Sequence, residues 1–334
     1  MRHMKKVVVI GGGTGTSVVL QALKSVPTIQ LTAIVVVSDN GGSTGRLRDE
    51  FGFLPVGDLR QCIAALATGE NEEYIRELLL YRFQSNSSLQ GHNLGNLILT
   101  ALEDLIDSPA KAIEIASKIF RIDGQVYPIS EANVDLEITY EDGQRVVGEK
   151  NLDDPKLGGK KIKNIRYTKK APLYVKARQA IENADFVLLG PGDLYGSLLA
   201  NTLAEGFQTA MQQNKKKAGK FLYIANLMTH YSQTHQLGLT QHLHEVEKYC
   251  GRQVDAIIVN TAEIDQETAQ RYAAMHEYPV ADDLGNSLPT NKVIRAKLLA
   301  KNLEEAVPGD RVPRSLLRHD KQKLKRALVK VFQI

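Results

Sequence analysis

Short apolar runs that end in glycines recur along the chain, and they restrict the possible folds more than any other feature. Residues 5–10, 31–38 and 186–189 are three such runs, and glycines follow each of them closely. Runs without polar alternation are typical of parallel strands that are buried on both faces. Between the first two runs, residues 16–26 place apolar side chains at helical spacing. Strand, glycine turn, helix and strand form a βαβ unit, which predicts an α/β fold with a Rossmann-like, doubly wound, mostly parallel sheet.

The alternation of predicted strands and helices continues along the chain with one interruption. Helical spacing recurs over residues 94–105, and a closing helix is expected from about residue 320. Between about 122 and 176 the pattern changes, because two alternating segments flank Asp142-Gly143, a strong hairpin sequence. We therefore predict one α/β domain over residues 1–334 that carries an antiparallel β-hairpin insertion at 122–176.

The composition is that of a globular protein rather than a membrane or disulfide-rich one. The chain has 334 residues, of which 43% are hydrophobic and 24% are charged, with only two cysteines. No apolar run reaches the roughly 18 residues that a membrane span needs. We expect a cytoplasmic protein without a membrane partner. The segments 156–170 and 311–330 are rich in Lys and Arg. They could attract phosphates or nucleic acid, but charge runs are usually solvated surface, so we expect no nucleic-acid partner.

The first glycine-rich turn is a candidate anion site. Free backbone N–H groups and the positive end of the dipole at a helix N-terminus favour a phosphate there. The turn is not a complete dinucleotide fingerprint, because Thr16 and Val18 stand where a third glycine would be needed. The candidate contacts are Gly11, Gly12, Gly13, Thr14, Gly15 and Thr16.

A second glycine-rich turn follows the second predicted strand. Asp39 ends that strand, where an NAD-binding protein places the acid that contacts the ribose. A second glycine turn with an arginine beyond it instead favours a diphosphate or a second phosphorylated group. The alternative is an ordinary solvent loop. The candidate residues here are Ser38, Asp39, Asn40, Gly41, Gly42, Ser43, Thr44 and Arg46.

Further polar residues lie at predicted helix starts and strand ends. Asp58 could cap a helix that ends near Gly69, or it could contact a ligand. Tyr195 is an aromatic residue placed to stack on a base. The histidines at 230, 235, 242 and 244 lack the spacing that puts two ligands on one helix face, so we expect no metal site. The remaining candidates are Gly57, Asp58, Arg60, His92, Asn93, Asn96, Gly190, Pro191, Gly192, Asp193, Tyr195, Ser197, Asn226, Met228 and Asn260.

The ordered set of motifs resembles the CofD-like family over nearly the whole chain. The motifs are VVVIGGGTGTS, DNGGSTGRLR, LPVGDLRQC, GHNLGNL, LGPGDLYGS, NLMT and LLRHDKQKL. One branch of this family contains 2-phospho-L-lactate transferases of deazaflavin cofactor synthesis, and the other contains YvcK-type proteins called putative gluconeogenesis factors. The hairpin insertion and the Arg318-His319-Asp320 helix start resemble the YvcK branch, and Arg318 joins the candidate residues.

The resemblance implies a binding protein for a nucleotide sugar, in particular UDP-N-acetylglucosamine, that regulates carbon metabolism and cell shape or cell-wall homeostasis. No catalytic residue is assigned. One alternative is a transferase related to the phospholactate enzymes, and a second is an NAD-dependent enzyme. The family commonly has two aspartates before the second glycine turn, whereas this chain has Asp39-Asn40. Mg²⁺ therefore belongs only to the transferase alternative. A homodimer and an unidentified protein partner remain open.

Overall fold

The structure is a computed structural model that describes residues 4–84, 88–285, 292–301, 303 and 316–333. The strands are β1 Lys5–Gly11, β2 Ile29–Val35, β3 Gln125–Pro128, β4 Leu136–Tyr140, β5 Arg145–Val147, β6 Ile162–Tyr167, β7 Phe186–Leu189, β8 Lys220–Ile224, β9 Ala256–Asn260 and β10 Val293–Ala296. The helices are α1 Gly13–Leu23, α2 Gly42–Phe51, α3 Gly57–Leu66, α4 Glu72–Leu80, α5 Leu94–Ile106, α6 Pro109–Ile119, α7 Val175–Glu182, α8 Phe207–Lys216, α9 Leu239–Cys250, α10 Gln266–Ala273 and α11 Lys321–Phe332.

In the described part of the chain, seven strands form a parallel sheet in the order β10-β9-β8-β7-β1-β2-β3. The central strand explains why the sequence has continuous apolar runs. Val7 and Val9 pack in one core with α1, α3 and α11, while Val8 and Ile10 pack on the opposite face. A strand covered on both faces has no solvent side to alternate with. The predicted α/β, doubly wound, mostly parallel fold is confirmed.

A second, antiparallel sheet in the order β5-β4-β6 covers one face of the parallel sheet. Its inward side chains, among them Leu136 and Ile138, join the core that contains Val8 and Ile10. The short strand β3 lies inside the range 122–176 but pairs in parallel with β2 as the edge of the main sheet. The antiparallel strands themselves fall between residues 136 and 167. Within the described residues, no helix combines the length and apolar character that a membrane span requires.

The closing helix α11 offers a direct test of local stability. The Asp320 side chain caps it, because Oδ1 accepts a hydrogen bond of 2.9 Å from the Lys323 N–H. We expect Asp320→Ala to lower the free energy of unfolding by about 1 kcal/mol in urea titrations, since a helix N–H loses its acceptor. Gln322→Ala, on the exposed side of the first turn, is the matched control. Equal midpoints for the two variants would contradict the assignment of the cap.

Candidate ligand site

The strand order reverses direction between β1 and β7, and the glycine turns that follow these two strands meet there. In open α/β sheets such a switch point leaves a crevice at the carboxyl ends of the strands. Pro191 and Gly192, after β7, lie against Gly15 in the first turn of α1. A methyl group at Gly15 would overlap the Pro191 carbonyl oxygen. Glycine is thus required at this position because the two turns touch through their backbones.

The second glycine turn lies beside the first because β1 and β2 are neighbouring parallel strands. Asp39 shapes the turn, since its Oδ1 accepts a 2.8 Å hydrogen bond from the Gly41 N–H. The carboxylate of Asp58 packs directly against Gly12. Asp58 lies in the first turn of α3, and the capping position is Val56, so the expectation that Asp58 caps this helix was wrong. The helix ends at Leu66 rather than near Gly69.

These turns surround a cavity of about 480 Å³, which is within the size range of small-molecule sites. Twenty of the residues predicted from sequence line it: Gly12, Gly13, Thr14, Gly15, Asp39, Gly41, Gly42, Ser43, Thr44, Gly57, Asp58, Arg60, Asn96, Pro191, Gly192, Asp193, Ser197, Asn226, Met228 and Arg318. The structure brings residues together that are up to 306 positions apart in the chain, from Gly12 to Arg318.

Ten other predicted residues are not part of this lining. They are Gly11, Thr16, Ser38, Asn40, Arg46, His92, Asn93, Gly190, Tyr195 and Asn260. Arg46 is exposed and donates to the Gln90 carbonyl. Tyr195 lies in the core with its hydroxyl 3.2 Å from Glu245, so its ring is not placed to stack on a ligand in this cavity.

Three more of these residues support neighbouring loops. Thr16 is buried and its hydroxyl donates to the Gly12 carbonyl. The Asn93 side chain accepts from the Asn96 N–H at the start of α5. Asn260 lies in a separate depression at the end of β9, where its amide pairs with the backbone of Ala262.

Asn40 contacts the insertion rather than the cavity. Its Nδ2 donates to Asp135 at 3.3 Å, and its Oδ1 accepts a 2.9 Å hydrogen bond from the Lys150 N–H. Arg48 donates to the same Asp135 carboxylate at 2.8 Å. An amide can both donate and accept, whereas a carboxylate can only accept and would repel Asp135. Asn40 therefore ties the second glycine turn to the insertion.

The family model described as 2-phospho-L-lactate transferase CofD matches residues 7–299. The chain belongs to the CofD family. A Nostoc protein named "Putative gluconeogenesis factor" is 38% identical over 329 residues, which are 98% of this chain and 68% of that protein. A Thermotoga maritima protein of the same name is 40% identical over 267 residues, 80% of this chain and 82% of its own length.

The crystal structure of a protein from Bacillus halodurans shares the fold of this CofD-family chain. Its TM-score is 0.86 at 34% sequence identity, and the match covers 98% of this chain and 99% of that one. The resemblance predicted from the ordered motifs is confirmed.

Several ionisable residues that line this CofD-family cavity were not among the predicted site residues, among them Glu149, Asp153, His230 and Glu277. Burial lowers the pKa of His230, but a hydrogen bond to Asp153 and the nearby carboxylates of Asp193 and Glu277 outweigh it and raise the pKa to about 9. The imidazole is therefore a cation near neutral pH. His230 directly follows the NLMT motif, which was the one available indication in the sequence.

Glu149 comes from the insertion and faces the glycine turns. Burial raises its pKa well above the ordinary value for glutamate. Nearby negative charges raise the pKa further, and they belong to Asp39, Asp193, Asp153 and Asp58. A carboxyl group in this setting holds a proton more readily than an exposed one, because ionisation would add a charge to an acidic wall.

The transferase alternative raises the question of a divalent cation. In the described segments, no group of three or more His, Cys, Asp or Glu side chains is arranged to hold a metal ion. In the Asp39-Asn40 pair, the Asn40 side chain is an amide, and it is hydrogen-bonded to Asp135 and Lys150 of the insertion. The residues present do not fit a resident Mg²⁺ site.

Proposed function

We propose that this CofD-family protein binds a nucleotide sugar, UDP-N-acetylglucosamine in particular, and acts as a cytoplasmic regulator of carbon metabolism and cell shape. The observation that carries the proposal is the meeting of three glycine-rich turns around one cavity at the switch point of the sheet. Close backbone approach is what a diphosphate requires, since its oxygens accept hydrogen bonds from main-chain N–H groups.

The size of the cavity also supports a ligand larger than a free phosphate. At about 480 Å³ it has room for groups on both sides of a diphosphate. Arg60, Arg82 and Arg318 lie in its lining and supply positive charge. The relatives carry the name gluconeogenesis factor rather than the name of an enzyme, which favours regulation over catalysis.

A second candidate is group transfer, which the description of the family model favours. In that case a nucleotide diphosphate would be part of an activated phospholactate donor. Asn40 argues against it, because a metal-assisted transfer would use a carboxylate where this chain has an amide bound to the insertion.

A ligand panel separates these functions. We expect UDP-N-acetylglucosamine to raise the melting temperature and NAD to leave it unchanged, since only a ligand that binds the native state stabilises it. At a concentration about 100 times Kd the gain is about 2.7 kcal/mol. Stabilisation by NAD alone would overturn the proposal and favour a dehydrogenase.

Turnover is the second measurement. We expect no transfer product when the protein is incubated with a deazaflavin acceptor, an activated phospholactate donor and Mg²⁺. Steady product formation, followed by chromatography, would replace the regulatory proposal with the transferase. Growth of a deletion strain on gluconeogenic against glycolytic carbon sources tests the proposed physiological role.

A further inference from the structure

We propose an orientation for the ligand, and this inference rests on the function proposed above. The nucleotide sugar lies across the switch point with its nucleoside on the β2 side and its sugar on the β8 side. Asn96 binds the nucleoside. The sugar contacts a wall made by Asp153, His230 and Glu277, which we call the hydroxyl wall.

The position of the glycine turns places the diphosphate in the middle. The first turn and Gly192 lie at the switch point between β1 and β7. Towards β2 the cavity is lined by Asp39 and Thr44, and towards β8 by Thr229. In doubly wound nucleotide-binding folds, an acid at the end of the second strand faces a ribose. Asp39 occupies that position, so the nucleoside takes the β2 side and the sugar is left with the β8 side.

Asn96 on the β2 side has one polar atom without a partner. The residue is 2% exposed and lines the cavity. Its Nδ2 lies within hydrogen-bond distance of the hydroxyls of Ser43 and Thr44. Its Oδ1 is buried and accepts no hydrogen bond from any residue that the structure describes. A buried acceptor left unpaired is costly, so this oxygen marks a place for a ligand donor. An N–H of the base or a hydroxyl of the ribose supplies one.

The hydroxyl wall on the β8 side is built from three separate segments of the chain. His230 Nε2 lies 3.3 Å from Asp153 Oδ1 and 3.9 Å from Glu277 Oε1. His230 Nδ1 lies 3.1 Å from the Ser232 hydroxyl, and its backbone N–H donates to Thr234. These contacts hold the imidazole and both carboxylates in place before a ligand arrives.

The chemistry of this wall selects a sugar over a phosphate. Carboxylates only accept hydrogen bonds, and phosphate oxygens also accept, so the two repel each other. Sugar hydroxyls both donate and accept, and they can donate to the carboxylates of Asp153 and Glu277, which His230 holds in place.

A separate residue at this end also points to a ligand. His319 lines the cavity beside Arg318 and is 5% exposed. Its Nε2 is buried without a hydrogen-bond partner in the described part of the chain. Each side of the cavity therefore contains a buried polar atom that a bound molecule can satisfy: the Asn96 oxygen on the β2 side and the His319 nitrogen on the β8 side.

The test compares two ligands that share the uridine diphosphate, only one of which carries the sugar. Calorimetry measures UDP and UDP-N-acetylglucosamine binding to the wild type, Asn96→Ala and Glu277→Gln. We expect Asn96→Ala to lower the affinity for both ligands by about fivefold, because both carry the nucleoside. We expect Glu277→Gln to weaken the sugar-bearing ligand by about fivefold and UDP by less than about twofold. Glu267→Gln, an exposed acid paired with Arg271 on α10, is the control and should change neither affinity.

A measurement on the wild type protects the test against a variant that fails to fold. If Asn96 binds the base, N3-methyl-UDP loses affinity, and if it binds the ribose, 2′-deoxy-UDP or 3′-deoxy-UDP does. The inference is overturned if Glu277→Gln weakens both ligands equally, if the two variants show the reverse pattern, or if none of the three analogues loses affinity. Equal wild-type affinity for UDP and UDP-N-acetylglucosamine also overturns it, while the proposed nucleotide site survives. If neither ligand binds, the proposed function fails and the orientation with it.

Discussion

Replacing Gly15 by alanine is expected to weaken binding of UDP-N-acetylglucosamine by about 100-fold, the equivalent of losing about two charge-assisted hydrogen bonds. The added methyl group would overlap the carbonyl oxygen of Pro191, which is backbone and cannot rotate away. The turns after β1 and β7 must therefore separate, and both line the cavity at the proposed diphosphate position. Calorimetry on the purified variant measures the effect.

The helix itself should tolerate this change. Gly15 lies within α1, and alanine is the residue that helices favour most, so the damage comes from the contact with Pro191 alone. Ser17→Ala is the matched control, because Ser17 lies one half-turn further along α1 and, among the described residues, its side chain bonds only to Gln21 in the same helix. An unchanged affinity for Gly15→Ala, with the control also unchanged, would show that the two turns do not form the diphosphate site.

The sequence allowed the fold and the glycine turns of the site to be predicted because both depend on local patterns. A buried parallel strand has a continuous apolar run, and a turn that must pass close to another backbone needs glycine. Gly12, Gly13, Gly15 and Gly192 were predicted because they follow predicted strands, and the structure places all of them in the cavity lining. Their role in binding stays a prediction.

The charged part of the cavity could not be predicted in the same way. Glu149 and Asp153 lie more than 100 residues after the second glycine turn in sequence, and they reach the cavity from the insertion, which Asn40 holds to that turn. Nothing in the residues around Glu149 indicates that contact. Glu277 has no strand end or glycine beside it, and it is identified only once His230 is seen to lie next to it.

Arg46 and Tyr195 show the opposite error, because both were predicted to contact the ligand and neither lines the cavity. Arg46 follows the second glycine turn closely, but the helical periodicity of α2 turns it outward, whereas Arg60 on α3 lies in the lining. Tyr195 follows Gly192 by three residues, yet the chain turns its ring into the core, where the hydroxyl pairs with Glu245. Packing decides which way a side chain points after a turn, and the spacing of residues in the sequence does not reveal that packing.

Glu149 leads to the second large effect, a pH dependence of ligand binding. A diphosphate at the glycine turns would bring more negative charge to a carboxyl group whose pKa is already raised by burial and by neighbouring aspartates. The complex should then hold Glu149 protonated more strongly than the free protein does. Because the bound state takes up a proton, the affinity for UDP-N-acetylglucosamine should fall as the pH rises above the pKa of Glu149 in the free protein. The limiting slope is about tenfold per pH unit.

Glu149→Gln should remove this slope and bind the ligand more tightly than the wild type above the pKa of Glu149, since the repulsive charge is gone. The titration is run by calorimetry between pH 6 and 8 in EDTA, where His230, with a pKa of about 9, stays mainly protonated. Glu141→Gln, an exposed acid on the same insertion outside the cavity, serves as the control and should reproduce the wild-type slope. A Glu149→Gln variant that binds more weakly than the wild type would contradict this expectation and would mean that the ligand donates a hydrogen bond to this carboxylate. In that case Glu149 would be a direct contact of the nucleotide sugar rather than a charge that its diphosphate must overcome.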